Sequence, residues 1–241
     1  MDWEAFFTVH SALPREGPGA PEDVAWACAL ADLAPGAVIC DAAAGPGGDV
    51  EALLTAVPGG RVVAFDKTEA FVAQMRDRFA GCSAVTVTTA DLNDIGALPE
   101  APFDMIWCAG ALYFLGLEAG LAQMHGALKP GGVLAFSEPF YKVPAPGAAA
   151  VAFWEGYPTD DAAHIGAAVS AAGFQTLGAR AVSDAGWEAY FQPMEARIAA
   201  LRPDADARLT TMLDLCAKEA AQWRQVKDET GYLLTVARRI S

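Results

Sequence analysis

The chain has few of the residues that announce metals, disulfides or nucleic acid. Its 241 residues include three histidines and five cysteines. His10, His125 and His164 lie far apart, with no HxH or HxxxH spacing, so no metal site is expected. Cys28, Cys40, Cys82, Cys108 and Cys216 form no CxxC pair. That scatter is the pattern of reduced, mostly buried thiols in a cytoplasmic protein. Basic residues are scarce, 16 against 30 acidic ones, giving a formal net charge of −14. Such a surface repels phosphate backbones, and Arg238-Arg239 is too small a cluster to reverse that, so no nucleic-acid partner is expected. No apolar run approaches the ~20 residues of a membrane span. The opening "MDWEAFFTVH" lacks the positive n-region of a signal peptide. There is no internal repeat and no low-complexity linker.

What the chain does have is apolar residues, 54% of the total, which is enough for one sizeable core. Short β-branched or aromatic runs recur, most of them bounded by Gly, Pro or Asp. They predict strands over Ala37–Asp41, Arg61–Asp66, Ala84–Thr89, Phe103–Cys108 and Gly132–Glu138. The near-continuous apolarity of "VVAF" and "VLAF" fits strands covered on both faces, hence a parallel sheet. Helical stretches alternate with them: Glu22–Leu33, Gly48–Ala56, Thr68–Ala80 (Thr68 as N-cap, Gly81 as C-cap) and Leu117–Leu128. After Glu138 a proline-rich connection, "PFYKVPAPG", precedes a helix over Asp160–Ala172 and a strand over Phe174–Val182. Two helical segments follow, about Gly186–Leu201 and Asp204–Asp228, split at Arg202-Pro203. Tyr232–Arg239 reads as the last strand. The expected fold is α/β, a doubly wound, mostly parallel seven-stranded sheet with helices on both faces. One domain is expected over 1–241, with an N-terminal lid over about 1–20 and a helical insertion over about 186–228. The sequence leaves open whether that insertion packs on its own subunit or serves a homodimer.

The stretch "VICDAAAGPGGDV", Val38 to Val50, is a strand, an acid, a glycine-rich turn and a helix start. Such a unit lets a ligand approach the backbone near a helix N-terminus. Dinucleotide binding needs GxGxxG, and Val50 occupies the third glycine position. Asp49 also places a negative charge where a pyrophosphate would sit. S-adenosylmethionine (SAM) has no phosphates and carries a sulfonium and an ammonium, so Asp41 at the end of the first strand favours it. Asp66 ends the second strand, where a carboxylate can accept from ribose hydroxyls; that serves either cofactor. Asp91, followed by Leu92, ends the third, where a carboxylate can accept from an adenine amino group. Three acids at three consecutive strand ends are more specific than the glycines.

With these residues the sequence resembles the class I SAM-dependent methyltransferases, from about Ala37 to Glu138. The resemblance rests on the Asp41–Gly48 turn, Asp66, Asp91-Leu92, "FDMIWC" and "LKPGGVLAFSE". It departs at Ala43, where the family normally has the first glycine of its loop. It extends to one bacterial branch through "HSALPREGPGAPE", "AGALYFLG", "FWEGYP" and "GWEAYFQPMEARI". The resemblance implies SAM as cofactor, S-adenosylhomocysteine as product, and a small-molecule acceptor. It implies a cofactor side made of Asp41, Ala43, Gly45, Gly47, Asp66, Asp91 and Leu92, with the Ala109-Gly110 backbone at the methionine end. Lys67 would flank the adenine, and Arg15 would meet the cofactor carboxylate as the N-terminal segment folds over. On the acceptor side, His10 is the expected base, with Tyr113 and Glu138 as further catalytic candidates. Phe114, Trp154, Tyr157, Trp187 and Tyr190 would line an aromatic pocket. His125 and His164 are placed outside the site. Two rivals remain: a nicotinamide oxidoreductase, and a SAM-binding protein without transferase activity.

Overall fold

Alternation of buried residues within each strand decides how the sheet is covered. In the computed structural model, which describes residues 2–240, the strands are β1 (Val38–Ala42), β2 (Arg61–Asp66), β3 (Val85–Thr89), β4 (Phe103–Cys108), β5 (Leu128–Tyr141), β6 (Asp160–Asp161), β7 (Phe174–Ala181) and β8 (Thr230–Arg239). The sheet runs β3-β2-β1-β4-β5-β8-β7, with the two-residue β6 paired to β5. All pairings are parallel except those of β8 with β5 and β7. Ile39, Val62, Met105 and Ala135 point to one face, and Cys40, Val63, Ile106 and Phe136 to the other; both sets are buried. A strand buried on both sides needs helices on both sides.

The helices are α1 (Trp3–His10), α2 (Pro21–Ala31), α3 (Val50–Ala56), α4 (Glu69–Arg78), α5 (Leu117–Ala127), α6 (Ala148–Phe153), α7 (Ala162–Ala171), α8 (Asp184–Leu201) and α9 (Ala207–Val226). Side-chain caps begin four of them. Asp2, Asp161, Ser183 and Asp206 accept from the amides of Ala5, His164, Gly186 and Leu209, satisfying donors the first turn leaves free. Thr68 holds the N-cap position of α4 but makes no cap bond.

Five elements depart from the sequence expectation, the first being the two-residue β6, an eighth strand beside the seven expected. The N-terminal segment holds a helix, α1, which begins at the Asp2 cap. A short helix, α6, interrupts the proline-rich connection. β5 runs on to Tyr141 because β8 pairs with it through Phe140↔Gly231 and Tyr141↔Thr230. α3 starts at Val50 rather than Gly48, since Gly47 has φ +80°, outside the helical region.

Between β7 and β8 the chain makes α8 and α9, which pack against each other. Trp187 of α8 stacks on Trp223 of α9, ring centroids 5.1 Å apart and 9° from parallel. α1 lies against both helices. The strand order reverses between β1 and β4, and the carboxyl ends on either side of that point are where open α/β sheets bind ligands.

Candidate cofactor and acceptor site

The turn after β1 is held from below by β2. The Ala44 amide donates to the Phe65 carbonyl at 2.8 Å, and the Gly45 amide donates to Asp66 Oδ2 at 3.0 Å. The Thr68 amide donates to the other oxygen of Asp66 at 2.8 Å. Asp66 is thereby fixed at the strand end with spare lone pairs. The turn needs left-handed backbone at Ala43 (φ +55°), Gly45 (φ +55°) and Gly47 (φ +80°). Gly47 serves packing: a Cβ there would sit 3.0 Å from Met75 Cγ and Phe79 Cε2. At Gly45 the nearest neighbour of such a Cβ is the flexible Glu16 side chain. Alanine in the left-handed region costs about 1–2 kcal/mol, and glycine's greater backbone entropy offsets about 0.5–1 of that. Ala43→Gly is therefore expected to stabilise the protein by roughly 0.5–1 kcal/mol in denaturant unfolding. A loss would mean that the methyl's packing outweighs the strain.

Asp41 is 3% exposed, and its Oδ2 has no hydrogen-bond partner. Desolvation lifts its carboxyl well above the ordinary range, Asp49 and Asp66 add repulsion, and Arg15 opposes it. Asp49 is satisfied: Trp107 Nε1 donates to it at 3.0 Å, and Arg15 pairs with it at 3.3 Å. Arg15 also donates to the carbonyls of Gly17 and Gly19. A cofactor carboxylate approaching Arg15 would have to compete with Asp49. Asp41 is thus the one acid of this turn with an open demand for a donor, and a cationic N–H group answers it. The residues fit a ligand with an ammonium or sulfonium at the end of β1.

Along the same edge, Asp91 accepts from the Asn93 backbone and side-chain amides at 2.9 and 2.7 Å, contacts that lower its carboxyl. Leu92 is buried beside it. Lys67 Nζ lies 5.5 Å from the ring centre of Phe114, which is 64% exposed. That places Phe114 at the Lys67–Asp91 rim, with its ring centre 4.4 Å from that of Tyr113. The Gly110 amide donates to Ser137 Oγ at 2.7 Å, which fixes the Ala109-Gly110 backbone beyond β4.

His10 ends α1 and is buried. Its Nδ1 lies 2.7 Å from Glu16 Oε2, and its Nε2 lies 3.7 Å from Cys216 Sγ on α9. Phe6 stacks on the ring at 3.9 Å. The imidazole is therefore oriented by a carboxylate and locked by an aromatic face. Glu16, Asp49 and Trp107 were not among the residues expected to shape the site, and the α1–Glu16 contact exists only once α1 is known to be a helix. Tyr113 meets Tyr157 edge-on at 5.8 Å and Tyr232 nearly parallel at 6.4 Å. Trp154 Nε1 donates to Thr230 Oγ1 at 2.7 Å. Trp187 is sandwiched between Trp223 and Tyr232, so its ring faces are used in packing. Tyr190 is buried on α8.

Glu138, 2% exposed, accepts from the Tyr157 hydroxyl and leaves Oε2 unpartnered. Desolvation pushes its carboxyl from 4.5 up to about 7. The folded state then holds a proton that the unfolded state has released between about pH 4.5 and 7, so stability falls as pH rises through that window. Complete loss amounts to roughly 3 kcal/mol. Glu138→Gln should flatten this part of the stability profile, measured by unfolding at several pH values. Parallel profiles for the two proteins would show that Glu138 titrates normally.

Cavities of about 190 and 230 Å³ lie elsewhere, one between Asp32, Asp104, Lys129 and Arg238, the other between Glu4, Asp206 and Arg208. Each holds an internal ion pair, Lys129 with Asp104 in one and Arg208 with Glu4 in the other. Among the described residues no His/Cys/Asp/Glu cluster could hold a metal ion. No helix there is long and apolar enough to cross a membrane.

The sheet order, the β1 turn and the acids at the strand ends define the Rossmann-like fold of the class I SAM-dependent methyltransferases. Residues 39–132 match the profile of a methyltransferase domain. A SAM-dependent methyltransferase from Geobacter sulfurreducens, crystallised with S-adenosylhomocysteine, superposes with a TM-score of 0.81 at 17% identity, covering 97% of each chain. Trans-aconitate 2-methyltransferase of Paracidovorax citrulli is 33% identical over 103 residues, 42% of this chain and 38% of that protein. An uncharacterised 37.1 kDa protein of transposon TN4556 from Streptomyces fradiae is 36% identical over 112 residues, 45% of this chain and 32% of that one. The chain thus matches about a third of the length of these curated relatives.

Proposed function

We propose that the protein transfers a methyl group from SAM to a small-molecule acceptor. The observation that carries this reading is the buried, partly unpartnered Asp41 carboxylate behind a glycine turn at the reversal point of the sheet. Asp41 would receive the cofactor's cationic end, Asp66 the ribose hydroxyls, and Asp91 with Leu92 the adenine edge. Lys67 and Phe114 would close the adenine rim. Bound there, SAM supplies a methyl group already activated on a sulfonium. The chain's task is then alignment and exclusion of water, for which α1, α8 and α9 would form a roof over the strand ends.

His10 is the base in this reading. Glu16 would accept the Nδ1 proton, which would leave the Nε2 lone pair facing Cys216 Sγ on α9, and the acceptor's proton would take the place of that thiol contact. Tyr113, Glu138 and Tyr157 would bound the acceptor on the β4–β5 side, with Trp154, Trp187 and Tyr190 on the α8 side. These groups would hold the acceptor's nucleophilic atom in line with the bond between methyl and sulfur.

A dinucleotide is disfavoured, because its pyrophosphate would face Asp41 and Asp49 with Arg15 already committed. Calorimetric titration with SAM, S-adenosylhomocysteine and NAD in parallel tests the reading. Binding of the first two and not of NAD is expected. Binding of NAD alone overturns it, and binding of SAM with no turnover on any acceptor pool would leave a SAM-binding protein instead.

A further inference from the structure

β5 is buried without interruption from Gly132 to Phe140, and in that run only Ser137 and Glu138 carry polar side chains. Ser137 is 1% exposed. A hydroxyl so deep needs a hydrogen bond. Ser137 finds it not within its own strand but on the turn beyond β4, where the Gly110 amide donates to its Oγ at 2.7 Å.

The direction of that bond decides where the neighbouring carbonyl points. β4 and β5 pair in parallel up to Cys108↔Phe136. At Gly110 a φ of +70° turns the chain out of the sheet, and its amide meets the Ser137 side chain. The peptide between Ala109 and Gly110 is trans; the cis bond among the described residues is Ala101–Pro102. A trans peptide holds its N–H and its C=O in one plane and pointing opposite ways. With the Gly110 N–H on Ser137 of β5, the Ala109 carbonyl points away from β5. β4 lies between β5 and β1, so that carbonyl is turned to the β1 side. Asp41 stands there, opposite Trp107 in the β1–β4 pairing, with its Oδ2 unpartnered. Among the described residues no backbone amide donates to the Ala109 carbonyl. The turn is also open: apart from its chain neighbours, no atom lies within 4 Å of the place a Cβ on Gly110 would take. The Asp41 carboxylate and the Ala109 carbonyl thus belong to adjacent strand ends. An ammonium group, with three donors and a positive charge, can bond to both at once.

We propose that Ser137 is a positioning residue for the cofactor: by holding the Gly110 amide, it aims the Ala109 carbonyl so that it shares the cofactor's ammonium group with Asp41. Without the hydroxyl the Gly110 amide loses its acceptor and the peptide plane is no longer fixed from below. This inference rests on the methyltransferase reading, since the ammonium is that of SAM.

The test is calorimetric titration of wild type and Ser137→Ala with three ligands. The first is S-adenosylhomocysteine. The second is its analogue with hydrogen in place of the amino group. The third is methylthioadenosine, which keeps the adenosine and the thioether and lacks the amino-acid end. Weak ligands are measured by displacement of S-adenosylhomocysteine. Ser137→Ala should weaken S-adenosylhomocysteine by about fivefold or more, as misaiming one charge-assisted hydrogen bond does, and leave each of the other two within about twofold. An unchanged affinity for S-adenosylhomocysteine overturns the proposal. An equal fall for all three ligands also overturns it, and makes Ser137 a structural residue. Failure of the wild type to bind S-adenosylhomocysteine overturns the methyltransferase reading, and this proposal with it. Should Ser137→Ala not fold, Ser137→Cys, close in shape but with a weak acceptor, carries the same comparison.

Discussion

Asp41→Asn is expected to stabilise the ligand-free protein and to weaken SAM binding together. The wild-type carboxylate is buried at the end of β1 with Oδ2 unpartnered, and Asp49 and Asp66 repel it. A buried, unpaired charge or its forced neutralisation costs folding free energy. Replacing it with an amide should recover about 1–3 kcal/mol. In a chain of this size that corresponds to a rise of roughly 2–4 °C in Tm per kcal/mol. In the complex the same carboxylate meets a cation, and losing a charged hydrogen bond removes roughly 1.5–3 kcal/mol, about 10- to 100-fold in Kd. The pH dependence has a definite sign. The folded, ligand-free protein holds the Asp41 proton to higher pH than an ordinary aspartate, and a cationic ligand favours the ionised form. SAM affinity should therefore rise with pH as the proton leaves, and Asp41→Asn should abolish that slope. Thermal unfolding of the apo proteins and calorimetry at several pH values measure both effects. A variant that binds SAM as the wild type does would remove Asp41 from the site, whatever its Tm. A variant that loses both stability and binding would make Asp41 a structural residue.

Legibility in the sequence followed the range of the interactions concerned. Arg61–Asp66 and Phe103–Cys108 could be bounded to the residue because each is an apolar run, and the acids ending three strands could be read from the same local signal. The glycine turn was legible too, down to the anomaly at Ala43, because left-handed backbone is a demand on single residues. The division of labour within the turn was not. That Gly47 faces Met75 and Phe79 while Gly45 faces Glu16 depends on α4 and the N-terminal segment lying on opposite sides of it. The acceptor side was legible only as a set of aromatics. Trp187 has the same sequence signature as Tyr190, yet its ring is used in a stack between α9 and β8. The His10 contact with Cys216, 206 positions away, depends on α1 packing against α9 and leaves no local pattern.

That contact also sets the largest expected catalytic effect. His10→Asn should lower kcat by about 10²–10⁴-fold, the range that removal of a positioned base produces, and leave S-adenosylhomocysteine binding within twofold. An imidazole whose Nδ1 proton is held by the Glu16 carboxylate keeps its lone pair on Nε2, and the Nε2 of His10 faces Cys216 on α9. A neutral amine or hydroxyl acceptor must give up a proton around methyl transfer, and in the proposed reading Nε2 receives it. Glu16→Gln should then lower kcat less than His10→Asn does, because the base survives with weaker orientation. In the double variant the two losses should not add, as expected for groups acting as one unit. The split between kcat and KM separates this role from a structural one: the loss in His10→Asn should fall on kcat, with the acceptor KM little changed. An unchanged kcat in His10→Asn would assign the proton acceptor to another residue, with Glu138, whose carboxyl is pushed up to about 7, the first to replace. A fall in kcat accompanied by an equal fall in cofactor affinity would mean that α1 had lost its seat on α9, which Tm measured alongside would reveal.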